Sequence, residues 1–198
     1  MIEAETDARC GWCGTEQIYV DCHDHEWGVP ERDSRALWEK LILDGFQAGL
    51  SWITILKKRD SFRAAFDGFR PEIIATWGEA DIARLLSNPA IVRHRGKIAG
   101  VITSAQAYQR IHQREGFAHF IWKFQDGQVL QNQWRTLAEV PAQTVTSQAM
   151  AKALKAEGFS FCGPTIVYAF MQATGMVNDH LVTCPCHARL ATRDPVNS

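Results

Sequence analysis

Cys10-Gly11-Trp12 and Tyr19-Val20-Asp21-Cys22-His23-Asp24-His25-Glu26-Trp27-Gly28 stand near one end of the chain, and Val177-Asn178-Asp179-His180-Leu181-Val182-Thr183-Cys184 stands near the other. Each region offers Cys and His together. Zinc favours these ligands, four at a time in a tetrahedron. His180 and Cys184 are four apart, so on helical backbone they share a face. Cys10 and His23 complete one set. Cys10-x-x-Cys13 is itself a ligand spacing, and Cys22, Cys186 and His187 are close by, so the spacing alone leaves several sets open. A redox-inert CxxC with scattered cysteines is the competing reading. Ligands drawn from both ends of a chain point to a structural site that closes one domain, not to a catalytic site with an open position.

The rest of the composition fits that picture. The chain has 198 residues, 46% hydrophobic and 22% charged, enough for one domain with a sizeable core. No apolar run approaches the length of a membrane helix. The first residues are acidic and polar, unlike a secretory signal, so a cytoplasmic protein with reduced thiols is expected. A net charge of −1 argues against coating nucleic acid by bulk charge, but a few local phosphate contacts suffice for binding. Lys57-Lys58-Arg59 and Arg93-His94-Arg95 with Lys97 are the local clusters; each taken alone reads as a solvated helix surface. Seven Trp are present. Trp12, Trp27 and Trp52 lie in glycine-containing segments and suggest a stacking pocket, whereas Trp38, Trp77, Trp122 and Trp134 are assigned to core packing.

The hydrophobic periodicity is helical. Asp33-Ser34 caps a helix carrying Leu37, Trp38, Leu41 and Ile42 on one face, interrupted by Gly45 and Gly49. Further helices are expected from about Ser51 to Phe66, from Pro71 toward Trp77, over 81–86 and over 96–114, the last burying Ile98, Ile102 and Ala105. After the apolar stretch 117–124, Ser147 caps a helix stopped by Gly158, and Pro164 starts an apolar helix ending at Gly175. Gln128 to Gln131 reads as a short extended piece. Residues 1–8 read as a flexible N-terminus, 9–187 as a single domain and 188–198 as a C-terminal tail.

Several of these segments recur in order in a known family. Cys10-Gly-Trp12, Tyr19-x-x-x-His23-Asp24-x-Glu26-Trp27-Gly28-x-Pro30, Gln47-Ala-Gly-Leu-Ser-Trp52 and Val177-Asn-Asp-His180-x-x-x-Cys184 resemble the 3-methyladenine DNA glycosylase I family. So do Leu56-Lys-Lys-Arg59, Arg93-His94-Arg95-Gly96-Lys97-Ile98 and Phe170-Met171-Gln172-Ala173. The resemblance spans about residues 9–186 and implies an all-α fold of the helix-hairpin-helix glycosylase superfamily. It implies one structural Zn2+ held by Cys10, His23, His180 and Cys184, which selects Cys10 over Cys13. The implied activity is hydrolysis of the N-glycosidic bond of 3-methyladenine in duplex DNA, by a monomer, leaving an abasic site and needing no lysine Schiff base. An N3-alkylated adenine is cationic and departs readily, so the protein need only flip it, stack it and stabilise the separating charges. The resemblance assigns the base pocket to Trp12, Tyr19, Cys22, Trp27 and Trp52 with Asp44 as the catalytic carboxylate. Gly49 and Leu50 fall on the DNA wedge, with core packing the alternative for Leu50. Arg93 and Lys97 fall in the DNA-anchoring region, where Asn88-Pro89-Ala90-Ile91 lacks the superfamily's glycine pair.

Two pocket positions depart from the best-known form of the family, which has Glu where this chain has Asp44 and Tyr where it has Cys22. Asp retracts the carboxylate by roughly 1.5 Å, one carbon–carbon bond. Cys22 gives up an aromatic face and keeps only a weak thiol donor. Both changes enlarge the pocket, which predicts a broader lesion range or weaker 3-methyladenine activity unless Phe46 refills the space. The rival readings are a glycosylase for a different or bulkier alkylpurine, a lesion-binding protein that does not cleave, and, more distantly, a zinc-dependent adaptor.

Overall fold

In the computed structural model, which describes residues 9–192, the helices run α1 (Gln17–His25), α2 (Ser34–Gln47), α3 (Trp52–Ala65), α4 (Pro71–Ile74), α5 (Glu79–Leu86), α6 (Arg95–Glu115), α7 (Phe117–Trp122), α8 (Val145–Glu157), α9 (Pro164–Ala173) and α10 (Pro185–Ala191). Two short strands, β1 (Leu130–Gln131) and β2 (Val177–Asn178), pair in parallel. The fold is mostly helical, as the periodicity predicts. β1 falls in the expected extended piece, and β2 carries too few residues to leave a signal.

α2 is the helix on which the others rest: it packs against α3, α6, α7 and α9. Asp33 caps it, with Oδ1 accepting from the Ala36 N–H at 2.8 Å. The expected face of Leu37, Trp38, Leu41 and Ile42 is buried, and so are Leu43, Asp44 and Phe46. A helix wrapped by four neighbours is buried well beyond one stripe. Gly45 does not interrupt it. A Cβ there would lie 3.4 Å from the Phe161 carbonyl oxygen, so the glycine serves close packing.

The long helix α6 buries Ile98, Ile102 and Ala105 as expected. α8 is capped by Thr144 rather than Ser147: Ser147 N–H donates to Thr144 Oγ1 (3.1 Å), and Thr144 N–H donates to Ser147 Oγ (2.9 Å). Ser147 is thus the return half of a capping box. Trp38, Trp77 and Trp122 pack in or against the core, but Trp134 is only half-buried and lies outside it. Helical order in α10 runs past residue 188 to Ala191, with Leu190 buried, so Arg189 to Ala191 are not part of a frayed end. Residues 1–8 and 193–198 lie outside the described residues.

Residues 28–31 meet the C-terminal end of α9. Gly28 N–H donates to Gln172 O (3.1 Å), and Glu31 N–H donates to Thr174 O (3.0 Å). Gly175 makes the crossing possible. Its φ is +67°, and a Cβ there would lie 2.4 Å from Pro30 N. β1 fastens the same region from mid-chain, pairing Leu130 with Val177 and Gln131 with Asn178. Gly175→Ala should therefore cost about 3 kcal/mol, from left-handed strain plus a backbone clash. For a chain of this size that is a fall of roughly 6–12 °C in thermal midpoint. A midpoint within a degree or two of native would show that the crossing yields without cost.

Candidate active site and metal cluster

Cys10, His23, His180 and Cys184 converge, all buried, with their ligand atoms within 4.8 Å of one another. Cys10 Sγ and Cys184 Sγ each lie 3.6 Å from His180 Nδ1, and Cys184 Sγ lies 3.7 Å from His23 Nε2. Zinc–sulfur and zinc–nitrogen bonds of ordinary length at the tetrahedral angle put S and N about 3.6 Å apart, so the donor set fits that ion. The outer ring nitrogens are engaged as a metal site requires. His180 Nε2 lies 3.1 Å from Trp27 O, and His23 Nδ1 lies 2.7 Å from Asp24 Oδ1. Asp24 is clasped by Arg9, which with His23 holds its carboxyl low, at about 2. The donors around Cys184, the Cys10 thiol foremost, push its thiol toward the thiolate a metal needs.

The competing donors are turned elsewhere. Cys13 Sγ donates to Cys10 O (3.2 Å), and His187 Nε2 lies 2.8 Å from Asn132 O. Cys186 is the exception, forming a three-residue group with His23 and Asp24. All six cysteines are free.

The aromatic pocket is built on the back of this cluster. The Trp27 ring meets His180 edge-on at 4.6 Å, and Trp12 lies 5.2 Å from His23, 5.1 Å from Trp27 and 5.2 Å from Tyr19. These rings line a cavity of about 690 Å³ that also takes in Cys22, Asp44 and Trp52. All six pocket positions expected from the sequence thus face one space. Asp44, delivered by α2, is 1% exposed. Its Oδ1 accepts from the Lys40 ammonium, but its buried Oδ2 has no partner among the described residues. Burial raises the Asp44 carboxyl pKa, and Lys40 opposes the shift. Burial also pushes the Cys22 thiol up, an effect that Trp52 opposes. Phe46 does not refill the space left at Cys22 and Asp44. It is buried against Phe62 at 4.7 Å, on the core side of α2.

Gly49 and Leu50 form the turn between α2 and α3. Gly49 has φ +84° with nothing within 4 Å of a built Cβ, and Leu50 is 43% exposed. Leu50 therefore does not pack in the core. Lys97, from the first turn of α6, is buried beneath the turn and donates to Phe46 O (2.9 Å) and Ala48 O (2.6 Å). Those carbonyls are left over at the C-terminus of α2, where a cation fits. Arg93 is exposed just before α6. In the 57–59 cluster Lys57 pairs with Glu16, Lys58 donates to Ala90 O (3.1 Å) and Arg59 pairs with Glu26.

Two cavity-lining positions escaped the sequence reading. Lys40 lines the cavity beside Asp44, and the only signal for it was its place four residues earlier on α2. Asp179 also lines the cavity. It accepts from Asn132 (2.6 Å), Trp134 (2.8 Å), Tyr168 (2.7 Å) and Gln172 (2.8 Å). Its position beside His180 was visible, but two of its four donors, Asn132 and Trp134, come from a distant segment.

Comparison with known proteins shows which family the chain resembles. The profile of the methyladenine glycosylase family matches residues 12–187. DNA-3-methyladenine glycosylase 1 of Escherichia coli (strain K12) is 50% identical over 180 residues, covering 90% of this chain and 96% of that protein. The DNA-3-methyladenine glycosylase of Haemophilus influenzae is 48% identical over 179 residues, covering 90% and 97%. A crystal structure of 3-methyladenine DNA glycosylase I superposes with a TM-score of 0.89 at 52% identity, covering 90% of this chain and 99% of the other. A Staphylococcus aureus structure described as the basis of 3-methyladenine recognition superposes at 0.88 with 37% identity, covering 91% and 97%.

Proposed function

This chain belongs to the methyladenine glycosylase family, and we propose that it acts as a DNA-3-methyladenine glycosylase through the cavity beside the cysteine–histidine cluster. It is an N-glycosylase, a hydrolase of base-excision repair acting on DNA that carries alkylated bases. The flipped base enters among Trp12, Tyr19, Trp27 and Trp52, whose rings accept a flat cation by stacking and cation–π attraction. The unpartnered Asp44 Oδ2 carries this reading. A buried carboxylate oxygen without a donor is costly, and the exocyclic amino group of an adenine-type base supplies the missing N–H. The same carboxylate stabilises positive charge as the C1′–N bond opens. Water completes the hydrolysis and leaves an abasic site.

The supporting parts take their roles from position. Leu50 is the wedge that fills the gap left by the flipped nucleotide, and Gly49 lets backbone approach the duplex. Lys97 holds that turn by its carbonyls, and Arg93 meets phosphate. The segment from Asn88 to His94 joins α5 to α6 as the hairpin of a helix-hairpin-helix unit. The cluster of Cys10, His23, His180 and Cys184 holds one structural Zn2+, with no position open for substrate. Metal cluster and pocket are complete within one chain, which suits a monomer acting on duplex DNA.

Chromatography of free bases released from methylated duplex DNA tests the reading. 3-Methyladenine is expected among the products. A folded, zinc-loaded protein that binds the DNA but releases no base would favour the lesion-binding alternative.

A further inference from the structure

Lys40 and Asp44 stand one turn apart on α2, and both face the cavity. The Lys40 ammonium pairs with Asp44 Oδ1 and sits 4.0 Å from the centroid of the Trp52 ring. Its side chain is 21% exposed. An aromatic face beside a carboxylate is what a cationic base would seek, and here a resident ammonium already occupies it. The pair is neutral overall, so the cavity attracts a cationic base less than a lone carboxylate would.

The pair also changes the pattern of hydrogen bonds. An ammonium carries three donors and no acceptor. Asp44 Oδ1 takes one of them, and Asp44 Oδ2, buried on this cavity-lining residue, has no hydrogen-bond partner among the described residues. One helix thus presents a donor and an acceptor side by side. The complementary purine edge has a carbonyl oxygen next to a ring N–H, as O6 and N1–H stand in a 6-oxopurine. Such a base is neutral and leaves poorly, because negative charge gathers on the departing ring. A fixed cation against O6 stabilises that charge.

We propose that Lys40 is a specificity-determining residue that extends excision to neutral 6-oxopurines, of which hypoxanthine in deaminated DNA is the simplest. The C1′–N9 bond breaks with its electron pair passing to the purine, and the charge spreads to O6 against the Lys40 ammonium. Water adds to C1′ and loses a proton to solvent. The purine takes one proton from solvent and departs as neutral hypoxanthine, and Lys40 stays protonated throughout. The proposal rests on the cavity being the base pocket.

The test compares native protein with Lys40→Met and Lys40→Arg on two substrates, a duplex oligonucleotide with one deoxyinosine and methylated duplex DNA. Native protein is expected to release both hypoxanthine and 3-methyladenine. In Lys40→Met the rate of hypoxanthine release should itself fall roughly tenfold or more without a matching fall in 3-methyladenine release, and Lys40→Arg should keep most of the hypoxanthine release. Native protein that releases 3-methyladenine but no hypoxanthine overturns the proposal, as does an undiminished rate of hypoxanthine release in Lys40→Met. Release of hypoxanthine without 3-methyladenine would instead overturn the alkyladenine reading and leave Lys40 its role. Release of neither overturns both.

Discussion

Asp44→Asn is expected to slow 3-methyladenine release by roughly 10²–10³-fold, the range for losing one preorganised electrostatic group. The melting temperature at neutral pH should stay level or rise. Asn has nearly the same shape, and its Oδ1 can still accept from Lys40. What goes is the negative charge, and the free Oδ2 acceptor is replaced by an amide that meets an incoming amino group donor to donor. The stability argument follows from burial, which raises the Asp44 carboxyl pKa in the folded protein. For a carboxyl with a raised folded pKa, ionisation favours the unfolded chain. That penalty is absent below the ordinary carboxyl value of about 3.9 and grows as pH rises through it. It is complete above the folded pKa. The advantage of the Asn variant should therefore be greatest at neutral pH and vanish in acid. Initial rates of base release, with thermal melts at several pH values, check both halves. A variant that loses rate and melting temperature together would make Asp44 a structural residue instead.

Much of this site could be read from the chain because its residues come in tight local motifs. Cys10 and Trp12, or His180 and Cys184, are close enough in sequence for residue type and spacing to imply shared chemistry. The choice of Cys10 over Cys13 needed the resemblance, since spacing treats the two alike. The structure gives the physical reason: the Cys13 thiol is turned to a carbonyl. Helix positions followed from periodicity and caps, and the misreadings were local. Ser147 looked like a cap because the true cap, Thr144, shares its chemistry three residues earlier. Gly45 looked like an interruption because the approach of Phe161, from over a hundred residues away, has no trace nearby. The resemblance put Lys97 in the DNA-anchoring region; its ammonium lies under the 48–50 turn, bonded to the Phe46 and Ala48 carbonyls. Phe46 is one position out of phase with the pocket on a helix buried on many sides, where an apolar residue cannot reveal which neighbour it meets.

His180→Ala is expected to abolish stoichiometric zinc, lower the melting temperature by at least about 10 °C and take most of the base release with it. Structural zinc contributes apparent free energies of order 10–16 kcal/mol in small domains, against a total stability of roughly 5–15 kcal/mol for a native protein. Losing even about 4 kcal/mol would move the midpoint of a chain this size by roughly 8–16 °C. Activity should fall with stability because the ligands also brace the pocket. His180 supports the Trp27 ring edge-on at 4.6 Å and lies 3.1 Å from the Trp27 carbonyl, and His23 backs Trp12. Two thiols outside the four serve as controls. Cys13→Ala removes a buried thiol bonded to the Cys10 and Gly14 carbonyls, and Cys186→Ala removes a thiol 3.8 Å from Asp24 Oδ1. Both variants should keep one zinc per chain and most of the activity, while Cys10→Ala and Cys184→Ala should behave as His180→Ala does. Elemental analysis, melting curves and base release on the five proteins separate the outcomes. Zinc retained in His180→Ala but lost in Cys186→Ala would move the site to the His23, Asp24 and Cys186 group. Zinc lost without loss of melting temperature would mean that the crossing at Gly175 and the β1–β2 pairing hold the chain ends together on their own.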